Sequence, residues 1–436
     1  MEDYILNLLK EKVIPAIGCT EPIAVALAAT KSREILNDIP ETIEIKLSKN
    51  VLKNGMGVGI PGTNQIGLHI AVALGVLYAN SENKLELIKN ISDSNVKEAN
   101  EFIKRTPIIF SIKETEEKLY IEVTCKKNNS FAKAIIAKNH TNFVFLEKNN
   151  NIILDNTKDL NNSNEDINIL NSNQKKITLK DIYDFTINCE LEKISFITES
   201  AKINKEAALI GIEKNYGLNV NKIIKNSIEK NIYQDSILSY ALILTTAAID
   251  ARMGGADVTI YSNSGSGDQG IIVTLPVLAF YEKYYKKELK NITLGNDEIF
   301  IRALTLSHIV AIYIKQKLGV LSPLCGITTA SIGTACGITF LMNGQYQHIC
   351  ATIKNCAANI IGMICDGAKN GCALKAASGV FNAFNAATLG INNICPCNTE
   401  GIVHNDVEIT IDNLIKIGKK GMEKMDDVII EMLLNK

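Results

Sequence analysis

Residues 3–14 carry apolar side chains at helical spacing, and "EPIAVALAATKSREIL" (21–36) reads as a second helix lined with small residues. "TIEIKLS" (42–48) alternates apolar and polar positions as a strand does. "KNGMGVGIPGTNQIG" (53–67) is a glycine-dense loop, and "LHIAVALGVLYA" after it returns to helix. Between 107 and 147, "PIIFSI", "KLYIEVTC", "SFAKAIIA" and "NFVFLE" are four β-rich runs parted by polar turns, which predicts a small antiparallel sheet. The stretch 148–176 is Asn-rich and poor in packing residues, so a linker or long surface loop is expected there. From 178 onward helical periodicity recurs at 178–190, 193–214, 220–230, 236–253, 270–290 and 297–318, then in Ala/Gly-rich helices to the end. The expected fold is α+β. An α+β domain over 1–177, with a mixed α/β organisation and the small antiparallel sheet, precedes a mainly α-helical domain over 178–436. No internal repeat is found.

Composition narrows the class. With 436 residues, 46% of them hydrophobic, the chain is globular and long enough to build a core without a metal staple. A net charge of −1 gives no basic field for nucleic acid or anionic lipid. The start has charges scattered through it and lacks a long apolar core, unlike a signal peptide. The apolar stretch at 236–249 is too short to span a bilayer. A cytoplasmic protein is therefore expected, with no nucleic-acid or membrane partner, and a homo-oligomer is left open. In a reducing compartment disulfides are rare, so the eleven cysteines are buried small residues unless some bind metal.

Six of the eleven fall between 325 and 372. Cys325, in "PLCG", lies on a loop before a helix. Cys365 ends an apolar helix over 355–364, and Cys372 follows the glycine-broken turn of "MICDGAKNGCALK". Loop ends are where ligands converge, because backbone N–H groups there can also serve cluster sulfurs. Cys336, Cys350 and Cys356, by contrast, sit among Ala, Ile and Thr in helical stretches and read as inert buried thiols, as do Cys125 and Cys189. There is no C-x-x-C pair and no histidine near 365 or 372, which weakens a zinc reading, although "CPC" (395–397) offers a ligand pair. Spacing alone leaves cluster, zinc and coincidence open.

Two more stretches carry chemistry. In "PAIGCTEP" (15–22) Cys19 stands where a helix begins, with Thr20 suited to cap it and Pro22 to its first turn. The helix dipole there favours a thiolate, which can be a nucleophile, a base or an iron ligand. In "SNSGSGDQG" (262–270), Ser264, Gly265, Ser266 and Gly267 form a hydroxyl-rich loop feeding a helix near Asp268 or Gln269. Such a loop offers N–H groups and hydroxyls to an anion, and without a P-loop ending a small carboxylate is the better guest. Asn54 and Lys53 are the polar handles of the 53–67 loop, either a substrate loop or a bend between packed elements.

Together "PAIGCTEP", "SNSGSGDQG" and "PLCG…MICDGAKNGCALK" resemble the L-cysteine desulfidase family, related to the α-domain of the iron–sulfur L-serine dehydratases. The resemblance runs along essentially the whole chain, in the right order, and departs only in the Asn-rich 148–176 stretch. It implies a [4Fe–4S] cluster held by Cys325, Cys365 and Cys372 with one iron open. It also implies that Cys19 is the labile fourth ligand or the base beside that iron. The implied activity is non-redox β-elimination of L-cysteine to hydrogen sulfide, pyruvate and ammonia, the iron acting as Lewis acid. Substrate-binding residues would be Asn54, Ser264, Gly265, Ser266 and Gln269. The rival activities are an iron–sulfur L-serine dehydratase, a pyridoxal-phosphate lyase using Lys369 or Lys375, and a non-enzymatic iron–sulfur redox sensor.

Overall fold

The alternation in Thr42–Leu47 (β2) puts Ile43, Ile45 and Leu47 into a core and their neighbours outward. In a computed structural model, which describes residues 1–88, 91–160, 177–285, 297–319 and 322–435, β2 is the second strand of a six-stranded sheet. The sheet runs β5 (Ile108–Ile112), β2, β6 (Tyr120–Lys127), β7 (Ser130–Ala137), β8 (Phe143–Lys148) and β9 (Asn151–Asp155). Helices α1 to α5 accompany these strands: Glu2–Lys12, Thr20–Leu36, Lys49–Gly55, Leu68–Tyr78 and Asp93–Arg105. α2 lies across β6 and β7 and also packs on α4. Small residues let the two helices meet, since a Cβ on Gly75 would stand 2.8 Å from the Ala26 carbonyl.

The helices of the second half are α6 to α17. They span Leu179–Asn188, Leu191–Ile194, Thr198–Glu213, Val220–Glu229, Ile237–Met253, Gly267–Tyr284, Glu298–Leu318, Gly326–Leu341, Tyr346–Asn359, Cys372–Gly390, Val407–Lys416 and Met425–Leu434. α10 (Ile237–Met253), α11 (Gly267–Tyr284), α12 (Glu298–Leu318) and α13 (Gly326–Leu341) are buried around most of their circumference, as central helices must be. α12 and α13 come so close that a Cβ on Gly333 would meet the Ser307 carbonyl at 2.2 Å. The two cores exchange chain ends. Ile5, Leu6, Leu8 and Leu9 of α1 join the helical core, and Ile430 of α17 joins the core under the sheet. No helix among the described residues is long and apolar enough to cross a membrane.

The α+β class and the helical second half agree with the pattern of the sequence, and the differences have local causes. The sheet is mixed, because β2 pairs parallel to β5 while its other neighbour, β6, is antiparallel. The Asn-rich stretch begins as structure: Asn149 and Asn150 take positive φ in a turn, and β9 pairs antiparallel with β8. Residues 161–176 of that stretch, and 286–290 of the helix expected over 270–290, lie outside the described residues. The 53–67 loop contains the end of α3 and a short antiparallel pair, β3 (Gly59–Ile60) with β4 (Gln65–Ile66). The apolar helix ahead of Cys365 stops at Asn359, so Cys365 lies on extended chain.

One small pairing sets up the site. β1 (Pro15–Ile17) runs antiparallel to β10 (Thr259–Tyr261), and Ser262 and Ser264 continue it by donating their N–H groups to the carbonyls of Ile14 and Lys12. The segment that leads to Cys19 is thus tied to the one that leads to Ser266. Immediately beyond, Gly270 in the first turn of α11 passes so close to β10 that a Cβ would stand 1.9 Å from the Tyr261 carbonyl. Gly270→Ala is accordingly expected to cost about 1–3 kcal/mol by overpacking. Thermal unfolding of that variant should show a lowered midpoint, and an unchanged midpoint would mean this contact is not tight.

Candidate functional site

Cys325 and Cys365 are brought side by side by backbone. An isolated antiparallel bridge joins Leu324 to Ile364, with Cys325 N–H donating to Met363 O at 2.8 Å and Cys365 N–H to Pro323 O at 2.7 Å. Cys325 is then the N-cap of α13, and the two thiols are hydrogen-bonded to each other. Within this pair Cys365 is the sulfur held as thiolate. The bond from Cys325 dominates, and burial opposes it, while Lys53, the Gly367 N–H and Lys375 add to it. Cys325 goes the other way, pushed far up by its bond to Cys365 and by burial.

The turn after Cys365 folds back onto the N-terminal half. Gly367 takes φ +96°, and a Cβ there would stand 2.2 Å from the Lys53 carbonyl, so only glycine fits. Asp366 receives both Lys369 and Lys375, whose charges overcome burial and hold its carboxyl at about 2. Those contacts give each of the two lysines a structural partner. Cys372 opens α15, and its thiol donates to the Gly367 carbonyl at 3.7 Å. Burial pushes that thiol up to about 12.

Cys19 is 4% exposed and is itself the N-cap of α2. Thr20 is therefore the first helical residue and not the cap, and its hydroxyl turns to Glu21 and His140, each at 3.3 Å. The expected dipole-stabilised thiolate is overridden here. Burial pushes the Cys19 thiol up to about 12, although Arg252 pulls against it. Arg252, from the last turn of α10, donates Nη1 to Asp268 Oδ1 at 2.8 Å and Nη2 to the Gly18 carbonyl at 3.0 Å. Asp268, in the first turn of α11, acts electrostatically on both Cys19 and Cys372, which links the two thiols through one carboxylate.

The remaining sequence-selected residues divide. Gln269 is buried, accepts from Thr329 Oγ1 at 2.9 Å, and lies where a Cβ on Gly326 would clash, so it packs on the residue after Cys325. Ser266 is the N-cap of α11 and accepts from the Gln269 N–H. Asn54 donates to Glu21 Oε1 at 3.1 Å, which joins α3 to the first turn of α2. Ser264, at φ +51°, bonds Asn263 Oδ1 and the Lys12 carbonyl, and Gly265 is exposed. Neither makes a described contact with the cysteines. Cys336 and Cys356 are buried in helices, Cys350 is half-buried, and Cys397 bonds Thr399 at the surface.

Sequence reasoning named Lys53 only as a polar handle of its loop and missed Lys315 altogether. Lys53 is buried and paired with Asp426 at 2.6 Å. Lys315 is buried in α12 within electrostatic reach of Cys365 and Cys325, and burial pulls its ammonium down to about 8. Lys315 sits in an apolar helical run whose only signal is one charge out of pattern. In kind the residues fit an iron–sulfur cluster: three sulfurs from loop and helix starts, with cations gathered round them. In placement, no three His, Cys, Asp or Glu side chains among the described residues surround a common point as a metal ion requires.

The opposed thiols give a direct test in metal-free, reduced protein. Cys365 should be carbamidomethylated by iodoacetamide at neutral pH and lose that reactivity on acidification, since its thiolate is protonated only below the ordinary thiol range. Cys372 should react only at strongly alkaline pH, because its thiol is pushed up to about 12. Site-resolved mass spectrometry reads both, and equal rates at pH 7 would contradict the arrangement.

Comparison with known proteins supplies the context. Residues 82–431 match the family described as serine dehydratase alpha chain. A UPF0597 protein of Phocaeicola vulgatus is 45% identical over 436 residues, covering 100% of this chain and 98% of its own. A UPF0597 protein of Porphyromonas gingivalis is 40% identical over 436 residues, covering 100% of this chain and 99% of its own. One from Actinobacillus pleuropneumoniae is 38% identical, with 100% and 98% covered. With the match taking in β5 to β9 and the segments that carry Cys325, Cys365 and Cys372, the chain belongs to the serine dehydratase alpha chain family.

Proposed function

We propose that the protein is an L-cysteine desulfidase, a carbon–sulfur lyase of cysteine catabolism that eliminates sulfide from L-cysteine without net redox change. The observation that carries this reading is the linkage of Cys19 to Cys372 through Asp268, beside the bonded pair Cys325 and Cys365. Family membership supports the broader class, an iron–sulfur serine dehydratase-like lyase. Cys325, Cys365 and Cys372 would hold a [4Fe–4S] cluster. When bound, it supplies a Lewis-acidic iron for the substrate sulfur and makes sulfide a better leaving group.

The chain's own residues do the rest. The start of α11, with the Ser266 hydroxyl, the backbone N–H groups around Gly267 and the Gln269 amide, takes the substrate carboxylate, and Asn54 serves the same end of the substrate. Cys19 accepts the Cα proton through its thiolate form, which burial makes the minor one at neutral pH and Arg252 favours. The electron pair left on Cα forms the Cα–Cβ double bond, the Cβ–S bond breaks, and the sulfur leaves as sulfide. The aminoacrylate product tautomerises and is hydrolysed to pyruvate and ammonia. Lys53, Lys315 and Lys375 keep negative charge favourable at Cys365 throughout. The reaction needs no partner beyond its small-molecule substrate and suits a reducing, cytoplasmic compartment.

Anaerobic reconstitution with iron and sulfide, followed by iron, sulfide-release and pyruvate assays, tests the reading. L-Cysteine should be consumed with sulfide and pyruvate in equal amounts. Preferential turnover of L-serine with water release would make the protein a serine dehydratase instead, the alternative favoured by the family's name. Cys325→Ala, Cys365→Ala and Cys372→Ala should each abolish bound iron, whereas Ala at Cys336, Cys350 or Cys356 should leave it largely intact.

Cys19→Ala should retain most iron, lose nearly all turnover, and stop exchange of the substrate Cα hydrogen with deuterium. Normal exchange in that variant would assign the base elsewhere. Ser266→Ala removes one charge-assisted hydrogen bond of about 1.5–3 kcal/mol and should lower kcat/KM by about ten- to a hundredfold at unchanged iron content.

A further inference from the structure

We propose that Arg252 is the positioning residue for Cys19: its guanidinium, fixed by Asp268 and the Gly18 carbonyl, holds the Cys19 sulfur in place and supplies the charge that lets it work as a base. The inference rests on the desulfidase reading for its catalytic arm and on geometry for the rest. Arg252 is 8% exposed, which for a guanidinium is a large desolvation cost. Two of its nitrogens are satisfied by Asp268 and Gly18, and a third group, Nε, is buried with no hydrogen-bond partner. An orphaned N–H on a buried charge is a cost without structural return, which points to a function for the residue as a whole.

The surroundings are cut to fit the guanidinium. A Cβ on Gly267 would stand 2.3 Å from Nε and 2.6 Å from Cζ, so glycine at the start of α11 leaves the space that Arg252 fills. On the other side Gly18 takes φ +59°, and a Cβ there would meet Pro61 Cγ at 2.7 Å. The carbonyl that Arg252 grips is therefore fixed by a backbone conformation only glycine adopts easily. Because that carbonyl belongs to the residue before Cys19, holding it fixes the entry angle of α2 and with it the direction of the thiol.

The charges facing Cys19 come from three helices. Glu21 on α2 and Asp268 on α11 both oppose its ionisation, and Arg252 on α10 favours it by charge and by hydrogen bond. His140 is engaged with Thr20 and is kept neutral by burial, so it adds no charge of its own. Among the described residues, Arg252 is thus the cation that acts on this sulfur. Asp268 has two opposed effects: it orients the guanidinium and disfavours the thiolate. That opposition separates an electrostatic role from a purely structural one.

The test uses metal-free, reduced full-length protein and the iodoacetamide rate at Cys19, read by site-resolved mass spectrometry in strongly alkaline buffer, where a thiol pushed up to about 12 begins to react. Arg252→Met should slow the reaction about tenfold or more, the effect of removing one neighbouring opposite charge. Arg252→Lys should restore part of it. Asp268→Asn, which keeps an oxygen for Nη1, should speed the reaction. Gly267→Ala, which displaces the guanidinium without removing its charge from the chain, should fall between wild type and Arg252→Met. If Arg252 only supported the fold, Arg252→Met and Asp268→Asn would both loosen the site and both speed alkylation. That result, or no change in either, overturns the proposal.

In reconstituted enzyme Arg252→Met should lower kcat with KM little changed, because the substrate contacts at α11 are kept. Wild-type protein inactive on L-cysteine would defeat the desulfidase reading and leave the alkylation result to decide Arg252. Should Arg252→Met not fold, Arg252→Lys and Asp268→Asn still give opposite or like displacements.

Discussion

The site depends on a bridge one residue long. Leu324 and Ile364 pair across two otherwise unrelated segments, and the flanking hydrogen bonds at 2.7 and 2.8 Å fix Cys365 against Cys325. Without that pairing the start of α13 and the turn before α15 would carry their thiols independently. With it, two sulfurs share a proton and unequal charge. Backbone is the right material for such a tie, because buried N–H and C=O groups must pair in any case and their geometry leaves little slack.

Around this bridge the protein gathers buried cations, Lys53 held by Asp426 and Lys315 within electrostatic reach of Cys365 and Cys325. A buried ammonium is costly, and the nearby sulfurs offset only part of that cost for Lys315. Asp366 takes the opposite part, drawing Lys369 and Lys375 to the turn, from which Lys375, like Lys53, still favours thiolate at Cys365. The Cys19 side is built on a different balance, with two carboxylates facing one guanidinium. At Cys365 the site therefore favours negative sulfur, and at Cys19 it holds it back.

Much of this was legible in the sequence, and the remainder has physical reasons for being hidden. Helices in the second half were visible because their apolar positions recur at helical spacing over ten or more residues. The loop-end setting of Cys325 and Cys372 was visible because glycine and proline punctuate the chain beside them. Cys365 was misread as a helix end because "NIIGMI" is as apolar as a helix, and only the distant partner Leu324 makes it extended. β9 was hidden by its asparagines, whose turn-forming role at Asn149 and Asn150 looks in sequence like a lack of structure. The parallel pairing of β2 with β5 was invisible for a similar reason, since direction is set by the connection and not by strand composition. Arg252 and Lys315 carried no motif, and Asp268 stood in one only as the start of a helix. Their meaning lies in what they touch.

The pairing of Lys53 with Asp426 closes a loop of 373 residues, and Lys53 is one of the cations that favour thiolate at Cys365. During synthesis the three cysteines leave the ribosome before Asp426 does. For that interval Lys53 has no carboxylate to hold it, and α17 has not yet covered α3. The nascent chain therefore presents its sulfurs in an electrostatically unfinished setting, and a helix made after all three of them completes it.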